Sequence, residues 1–464
     1  MPQQQTGSTA FARRRRRDVV VAAVLALIAL SAAATVHLTS DLRQVTSSTA
    51  EVTAVPRSAT SAPTVLRESW SRPTDPRLGG VASARGVVVT TDEHGLTGRD
   101  PATGDQRWVY SRSNRDLCAV HSADVTAGSR SYPGPGVRGI LAIYRHGNRC
   151  QEVVTLDPQT GARAYQRTIP GDPDGAVISG GPYAGWLTHD LLDLWRNDLL
   201  RTHQYGNQPA SPESNSTHTG CAFLDAAVTD EQFATVENCP AQGPTLRLVL
   251  SWADPDREKR DVWSPYRSEP RADIDTGATA ARILAITPDR VAVLVNAPVS
   301  ALVVYDADGS VVSRTPMAAP TGAFEITGPT PRTVLDDVRY ALLGSTLLAF
   351  TTEVRTVRVT ATPTTTGTAG TTSGTAPVVT DEDRSTPSLA WQQDGVLGLP
   401  GAVGGTVLVP TATGVDVADR IAGTTLRSLP VSRPDDPSRV DLRVIGSRLV
   451  ELRDDQVVVL TMSR

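Results

Sequence analysis

The sequence is poor in the residue patterns that support chemistry. Aromatic residues make up 5% of the 464 residues, and the seven histidines are scattered along the chain. The sequence contains no phosphate-binding P-loop, no His-Glu-x-x-His helix and no Gly-x-Ser-x-Gly elbow. These absences argue against the common nucleotide-hydrolase, zinc-protease and serine-hydrolase signatures. We therefore predict no catalytic, cofactor-binding or metal-binding residues.

Lysine is almost absent, and the charge is unevenly distributed. Lys and Arg total 45, of which Lys259 is the one lysine, a bias typical of a GC-rich bacterial genome such as an actinobacterial one. The formal charge is −4, but residues 1–36 carry five Arg and one Asp, so the remainder is near −8. An acidic exterior argues against nucleic acid as a partner.

One apolar run lies near the N-terminus. Five arginines at 13–17 precede the apolar residues 19–36, which as a helix would be about 27 Å long, close to the roughly 30 Å bilayer core. By the positive-inside rule we predict a cytoplasmic tail at 1–18, a transmembrane helix or signal anchor at 19–36, and the rest outside the cytoplasm. The alternative is a signal peptide, cleaved after the small residues "SAAA", that leaves a secreted protein.

Two segments lack a sustained apolar pattern. Residues 37–64 are rich in Ser, Thr, Ala and Val, which predicts a flexible linker between the membrane and an ectodomain at 65–464. The Thr/Gly-rich stretch at 360–380 predicts a disordered loop within that ectodomain. This loop is either a neutral insertion or a site for O-linked sugar.

The four cysteines agree with an oxidising compartment. Sequential pairing of Cys118 with Cys150 and of Cys221 with Cys239 would close two local loops. A zinc site is the alternative for the first pair, because His121 and His146 lie next to those cysteines in "CAVH" and "HGNRC". We predict disulfides.

A repeated unit is visible in the chain. The stretch "GVVVTTDEHGLTGRDPATGDQRW" at 86–108 aligns without a gap with "GTVLVPTATGVDVADRIAGTTLR" at 405–427, and weaker copies surround Asp157 and Asp306. Each copy has a β-branched strand, an Asp that can hydrogen-bond a turn, a Gly suited to positive φ, and another strand. The positions assigned to repeat turns and their packing are Gly86, Gly95, Asp100, Gly104, Trp108, Asp157, Gly161, Gly405, Gly414, Asp419 and Gly423. No Trp follows the turn of the second copy, so we expect its packing contact not to be repeated.

The motif "GLTGRDPATGDQRWVY" resembles the repeat of PQQ-like, quinoprotein-type β-propellers. The resemblance implies an all-β fold with four-stranded blades, here of a membrane-anchored type. About 400 residues fit eight blades, with seven possible, at roughly 40–50 residues per blade. The last meander, at 438–463, supplies about three strands, so residues 64–72 are expected to add its outer strand and close the ring.

Two local patterns have competing interpretations. The stretch 185–203 carries leucines near helical spacing, but two strands of a third blade joined at "RND" are the favoured prediction. "YDADGS" at 305–310 begins like a calcium loop, yet Met317 stands where a bidentate Glu is needed, so a turn is predicted.

These observations favour a non-catalytic protein that binds an envelope protein or peptide and is tethered to the cytoplasmic membrane. A quinoprotein enzyme would need an axial metal and cofactor pocket, and many relatives join adjacent cysteines, which this chain lacks. The alternative is a cofactor- or carbohydrate-binding propeller enzyme, a quinoprotein-like oxidoreductase or a lyase. Fold alone does not decide between them.

Overall fold

The structure is a computed structural model that describes residues 8–83, 85–123, 139–196, 198–207, 220–253, 270–361 and 378–463. The helix α1, Ser8–Thr39, comes first and is followed by a 3-10 turn at Asp41–Gln44. Within α1 the 19-residue segment Arg17–Thr35 is apolar enough and long enough to cross a membrane, and none of it is buried. By length and composition, a membrane anchor and a signal sequence both fit this helix.

The described residues after α1 form β-strands in eight sheets, the blades of a β-propeller. Along the chain, strands β1, Val45–Ser48, and β2, Val65–Pro73, come before the four consecutive strands of blade 1. Blades 1 and 2 contain β3 Val81–Ser83, β4 Val87–Thr91, β5 Gly95–Arg99, β6 Gln106–Arg112, β7 Leu117–Ala123, β8 Gly139–His146, β9 Arg149–Leu156 and β10 Arg163–Thr168. Blades 3 and 4 contain β11 Ala176–Gly180, β12 Tyr183–Leu187, β13 Leu191–Arg196, β14 Arg201–Gly206, β15 Ala222–Val228, β16 Gln232–Asn238, β17 Arg247–Trp252 and β18 Ala272–Asp275, with a 3-10 turn at Pro240–Gln242.

The second half of the ring repeats this plan. Blades 5 and 6 contain β19 Ala281–Ile286, β20 Arg290–Val295, β21 Ala301–Asp306, β22 Val311–Pro316, β23 Arg332–Leu335, β24 Val338–Leu343, β25 Thr346–Ala361 and β26 Val378–Gln393. Blades 7 and 8 contain β27 Gly401–Val403, β28 Thr406–Thr411, β29 Gly414–Asp419, β30 Thr425–Pro430, β31 Val440–Ile445, β32 Arg448–Arg453 and β33 Gln456–Ser463. The predicted four-stranded, eight-bladed propeller is confirmed, and the seven-bladed alternative is wrong.

The N-terminal strand β2 completes blade 8. It pairs antiparallel with β33, from Val65 opposite Ser463 to Pro73 opposite Gln456. The sheet order of this blade is therefore β2-β33-β32-β31, and residues from the two ends of the propeller share one sheet. The predicted closure by residues 64–72 is confirmed, and it leaves β33 with neighbours on both sides.

The core lies between the blades. Eight clusters of buried apolar residues occur, and each contains residues of two neighbouring blades. In blades 1 and 2, for example, Val89 and Leu96 pack with Ile140 and Val154, all fully buried. Each blade thus buries both of its faces only by stacking on its neighbours, as the repeat predicts.

The antiparallel order of the strands gives the ring two distinct faces. The turns between first and second strands, such as Gly86, and between third and fourth strands, such as Gly104, lie on one face. The turns between second and third strands and the links between blades lie on the other. The link at Ser113–Arg115 contacts the segment just after α1, so we name this second face the proximal face and the first the distal face.

The repeat positions form turns between third and fourth strands. Asp100 accepts hydrogen bonds through Oδ1 from the amides of Ala102 and Thr103, and the amide of Gly104 donates to the Asp100 carbonyl. Asp157 with Gly161, and Asp419 with Gly423, form the same turn. The glycines in these three turns have φ of 76°, 71° and 70°, which favours glycine over any residue with a side chain.

The gap-free alignment of the two repeats holds for their later strands and fails at the first turn. Gly95 and Gly414 both begin the third strand of their blades. Gly86 has φ of 85°, but the left-handed residue of the second copy is Gly404, at 57°, and not Gly405. The first turn is one residue shorter in blade 7, because Val403 pairs with Thr406 where Ser83 pairs with Val87.

The packing contact that the sequence assigns to each repeat is formed between blades. Trp108, on the fourth strand of blade 1, is fully buried and donates its indole N–H to the Pro158 carbonyl in the turn of blade 2, at 2.9 Å. The turn of blade 7 receives Trp391 from blade 6, which donates to the Arg420 carbonyl at 3.0 Å. The second copy supplies no tryptophan from the strand after its turn, as expected, but the turn itself receives one from the preceding blade.

The stretch 185–203 contributes strands to blade 3. Leu191–Arg196 and Arg201–Gly206 are antiparallel neighbours, with Leu192 opposite Tyr205. Leu192 and Leu194 lie in the interface with blade 4, and Trp195 lies in the interface with blade 2, so the side chains follow strand and not helical periodicity. The helix alternative is wrong.

Candidate interaction site

A charged cluster ties the end of α1 to the propeller. Asp41, two residues after the last helical residue, accepts a hydrogen bond from Arg115 at 2.6 Å and one from Asn114 at 3.0 Å. Arg115 also lies 3.2 Å from the buried carboxylate of Glu152, which pairs with Arg112 as well. The hydrogen bond from Arg115 lowers the pKa of the Asp41 carboxyl. One residue, Ser40, separates α1 from this cluster.

The chain then adds a fifth strand to blade 1. Strand β1 pairs antiparallel with β6, from Val45 opposite Arg112 to Ser48 opposite Val109. The pairing carries the chain along the outer edge of blade 1 from the proximal to the distal face. A segment predicted to be a linker therefore covers a sheet edge that would otherwise be free.

Residues 49–64, which we call the strap, continue across the distal face. The amide of Ala50 donates to the Thr160 carbonyl of blade 2 at 2.9 Å, and Gln159 donates its side-chain N–H to the Thr53 carbonyl at 2.7 Å. Farther along, the amide of Ala59 donates to the Gly446 carbonyl of blade 8 at 3.0 Å. Residues 45–64, which lie within the predicted linker at 37–64, thus follow the propeller surface.

Three glycines in adjacent blades accommodate the strap. A Cβ on Gly86 would lie 2.6 Å from Pro56 Cδ, and one on Gly446 would lie 2.7 Å from Pro56 Cβ. A Cβ on Gly404 would lie 2.6 Å from the Thr60 carbonyl oxygen. Their φ values of 85°, 60° and 57° also disfavour a side chain. The first turns of blades 1, 8 and 7 are thus shaped to let the strap approach closely.

A long hairpin, which we call the ribbon, extends from blade 6. Strand β25 pairs with β24 only as far as Phe350 opposite Arg339, but it continues paired with β26 to Ala361 opposite Val378. Eleven residues per strand therefore run past the blade, roughly 36 Å if fully extended at about 3.3 Å per residue. The ribbon leaves on the distal side, and residues 362–377, which contain most of the predicted disordered loop, lie outside the described residues.

The base of the ribbon is fixed to blade 5. The amide of Ser385 donates to the Asp289 carboxylate at 3.0 Å, and Thr287 donates to the Ser385 carbonyl at 2.8 Å. Burial raises the pKa of the Asp289 carboxyl. These contacts hold the root of the ribbon against the first turn of the preceding blade.

Near the propeller axis, three blades share one buried carboxylate. Asp225 of blade 4 accepts hydrogen bonds from the Ile283 amide of blade 5 at 2.9 Å and from the Thr330 amide before blade 6 at 3.0 Å. Arg332 of blade 6 lies 3.2 Å away, and Asp225 is fully buried. All of these partners of Asp225 are groups of the protein itself. The cluster therefore links the inner strands of blades 4, 5 and 6.

The cysteines form two disulfides, Cys118–Cys150 and Cys221–Cys239. The zinc alternative is therefore wrong, because disulfide sulfurs are not thiolate ligands. Its histidines face other partners, with His121 Nε2 2.7 Å from the Ser179 hydroxyl and His146 against Arg115. The buried group Cys221, Glu237 and Cys239 likewise contains two bonded cysteines.

Residues 305–310, which begin like a calcium loop in sequence, form the predicted turn. Asp306 accepts a hydrogen bond from the Ala307 amide at 2.6 Å, and its carbonyl accepts one from Gly309 at 3.0 Å. This turn joins the third and fourth strands of blade 5. The predicted repeat residues, here and elsewhere, are spread around the ring and do not converge on one site.

Comparison with known proteins finds similar solved structures only. No protein-family profile matches the chain, and no curated protein matches it. BamB from Moraxella catarrhalis is 15% identical with a TM-score of 0.44, over 86% of this chain and 100% of that one. A quinohemoprotein alcohol dehydrogenase from Pseudomonas putida is 13% identical, with a TM-score of 0.44 over 86% and 76% of the two chains. A europium-containing methanol dehydrogenase is 10% identical, with a TM-score of 0.44 over 85% and 93%.

Similarity at this level carries no functional inference. What the strand order defines is the class: an eight-bladed β-propeller that follows an apolar helix. The features added to the eight sheets in this chain are the strap, the ribbon and the charged cluster after α1. Sequence reasoning missed the strap, because Ser, Thr, Ala and Pro carry no periodic signal when a segment is held by its backbone.

Proposed function

We propose that this protein is a non-catalytic scaffold of the bacterial cell envelope that binds an envelope protein or peptide outside the cytoplasm. The proposal rests on one observation, the placement of α1 and the ribbon on opposite faces of the propeller. A chain attached at the proximal face presents the ribbon away from its attachment. That arrangement suits a protein that reaches for a partner.

The proposed location follows from the N-terminal residues and the disulfides. We propose that α1 anchors the chain in the cytoplasmic membrane, with Arg13 to Arg17 inside and the propeller outside. Two disulfides support an extracytoplasmic position, because they persist in oxidising compartments. Since the cluster at Asp41 follows α1 so closely, the proximal face of blade 1 would lie near the bilayer and the ribbon would be distant from it.

Site-specific photo-cross-linking of the full-length protein in cells tests the scaffold. Val354 on the ribbon and Val299 on the proximal face are of one residue type and are similarly exposed, at 62% and 67%. A photoreactive residue at Val354 should give an adduct of defined mass with one envelope protein, and the same residue at Val299 should not. An adduct at Val299 alone would contradict a role for the ribbon, and adducts at neither position would contradict the scaffold.

A shortened ribbon separates partner binding from folding. Replacing residues 355–384 by Asn-Gly keeps the Val354–Ser385 pair and the contact of Ser385 with Asp289, and it supplies a tight two-residue turn. The matched control removes only residues 362–377. The Val354 adduct should disappear in the shortened ribbon and persist in the control, whereas persistence in both would place the binding site elsewhere.

A further inference from the structure

The strap joins two N-terminal strands that lie in neighbouring blades. Strand β1 is the outer strand of blade 1, and β2 is the outer strand of blade 8. Among the described strands, the pairing of β2 with β33 is the sheet contact that closes the ring. Between β1 and β2, the strap crosses the first turns of blades 1, 8 and 7.

The strap holds strands on the far side of that closure. Ala59 bonds to Gly446 in the turn between β31 and β32, and Thr60 lies against Gly404 between β27 and β28. At its end the amide of Thr64 donates to the Ser463 carbonyl at 2.8 Å. The contacts of Ala59 and Thr60 join the N-terminal segment to blades 8 and 7 outside the β2–β33 pairing, which the Thr64 bond extends.

The fit depends on backbone contacts and on proline. Most strap side chains, including Arg57, are exposed, so the contacts described above rather than deep burial fix the path of the strap. Pro56 lies between two glycine turns, and Pro63 is buried near the start of β2. Proline limits the conformations of the free segment and so reduces the entropy lost on docking.

We propose that the first turns of blades 7, 8 and 1, with the third turn of blade 2, form a binding site for an extended segment of small residues and proline. Residues 49–64 of the same chain occupy this site and act as a clasp over the ring closure. The site is separate from the ribbon and does not depend on the proposed scaffold function. Since the clasp begins after Asp41, it remains whether α1 is retained or removed after "SAAA".

Trypsin cleavage after Arg57 reports on the clasp in the full-length protein. Gly446→Ala places a methyl group against Pro56, and Gly147→Ala is the matched control, because Gly147 has a similar φ of 63° with no atom within 4 Å of its Cβ position. Both variants carry the cost of a side chain in the left-handed region, but only the first should displace the strap. We expect cleavage at Arg57, followed by mass spectrometry, to be about tenfold faster in Gly446→Ala than in Gly147→Ala, as for a loss of about 1.4 kcal/mol.

A second variant keeps the test valid if Gly446→Ala fails to fold. Pro56→Ser removes the ring that contacts both Gly86 and Gly446 and introduces no backbone strain. It should also accelerate cleavage at Arg57, and it should lower the unfolding temperature of the propeller. Cleavage at the wild-type rate in Pro56→Ser, or equal rates in the two glycine variants, would overturn the clasp.

Discussion

Trp391 and Gly423 contact each other across the boundary between blades 6 and 7. A Cβ added to Gly423 would lie 2.5 Å from Trp391 Cγ, so the absence of a side chain lets the indole lie on the turn. Trp108 with Gly161, and Trp70 with Gly104, form the same pair at two other boundaries, with Cγ distances of 2.5 and 3.0 Å. The Asp-to-Gly turn of a repeat is therefore the surface on which the tryptophan of the preceding blade packs.

Gly423→Ala should destabilise the propeller more than Gly395→Ala. The two glycines have φ of 70° and 72°, but nothing lies within 4 Å of a Cβ on Gly395. Both substitutions strain the backbone, and only Gly423→Ala also displaces a buried tryptophan, for which overpacking costs roughly 1–3 kcal/mol. Thermal unfolding of both variants measures the difference, and equal unfolding temperatures would contradict the role of the contact.

Glu152→Gln should cost much more stability than Asp41→Asn, although both acids pair with Arg115. The side chain of Glu152 is 8% exposed and lies between two buried arginines, whereas that of Asp41 is 56% exposed. Breaking a buried ion pair costs about 3–5 kcal/mol, and an exposed pair contributes about 0–1 kcal/mol. Denaturant unfolding of the two variants should show this order, and the reverse order would place the main contact at the end of α1.

The Asp193→Asn variant should become more stable relative to the wild type as pH rises. Asp193 is buried on β13, with Arg201 Nε 2.7 Å from its Oδ1, and burial raises its pKa to about 6. Because the folded pKa exceeds the unfolded one, the wild-type carboxyl contributes its full stability at low pH and loses it as pH rises through about 6. The stability of Asp193→Asn relative to wild type should therefore increase between pH 4 and pH 7, by on the order of 2–3 kcal/mol. Unfolding measured across this range checks the sign, and a constant difference would contradict a raised pKa.

The shortened ribbon should leave the stability of the propeller unchanged. Blade 6 contains β25 only up to Phe350, and Ser385 keeps its bonds to blade 5 when residues 355–384 are replaced. The unfolding temperature should match that of the wild type. A clear decrease would mean that the ribbon is part of the folded core and not an appendage.

Sequence reasoning predicted the ring from its turns and strands. The spacing of Asp100 and Gly104 has a local physical cause. The Asp100 side chain accepts hydrogen bonds in the turn, and Gly104 adopts a positive φ. Such causes act within a few residues, so the pattern is visible in the chain. The closure by β2 was also predictable, because the last meander lacked a strand and a spare strand lay at 64–72.

Contacts that form only in the assembled ring could not be predicted from the sequence. Trp391 lies in blade 6, and the glycine it contacts, Gly423, lies in blade 7. The repeat alignment alone would pair each tryptophan with the turn of its own blade. The arginine pairs of Asp225 and Glu152 come from different blades or links. For the candidate site, the apolar helix and the Thr/Gly-rich region were visible in composition. The path of the strap was not, because its contacts are with the surface beneath it.

The placement of β2 constrains when this protein can complete its fold during synthesis. Thr64 and Ser463, which bond at the closure, are separated by 399 residues, so a strand that is made early must wait for the one that is made last. Until then blade 8 is incomplete, and β2 has no strand to pair with. Contacts so distant in sequence form slowly, and an unpaired edge invites association with other chains. The period in which β2 is unpaired therefore lasts until β33 has been made, and its length is set by the position of β2 in the chain rather than by the number of blades.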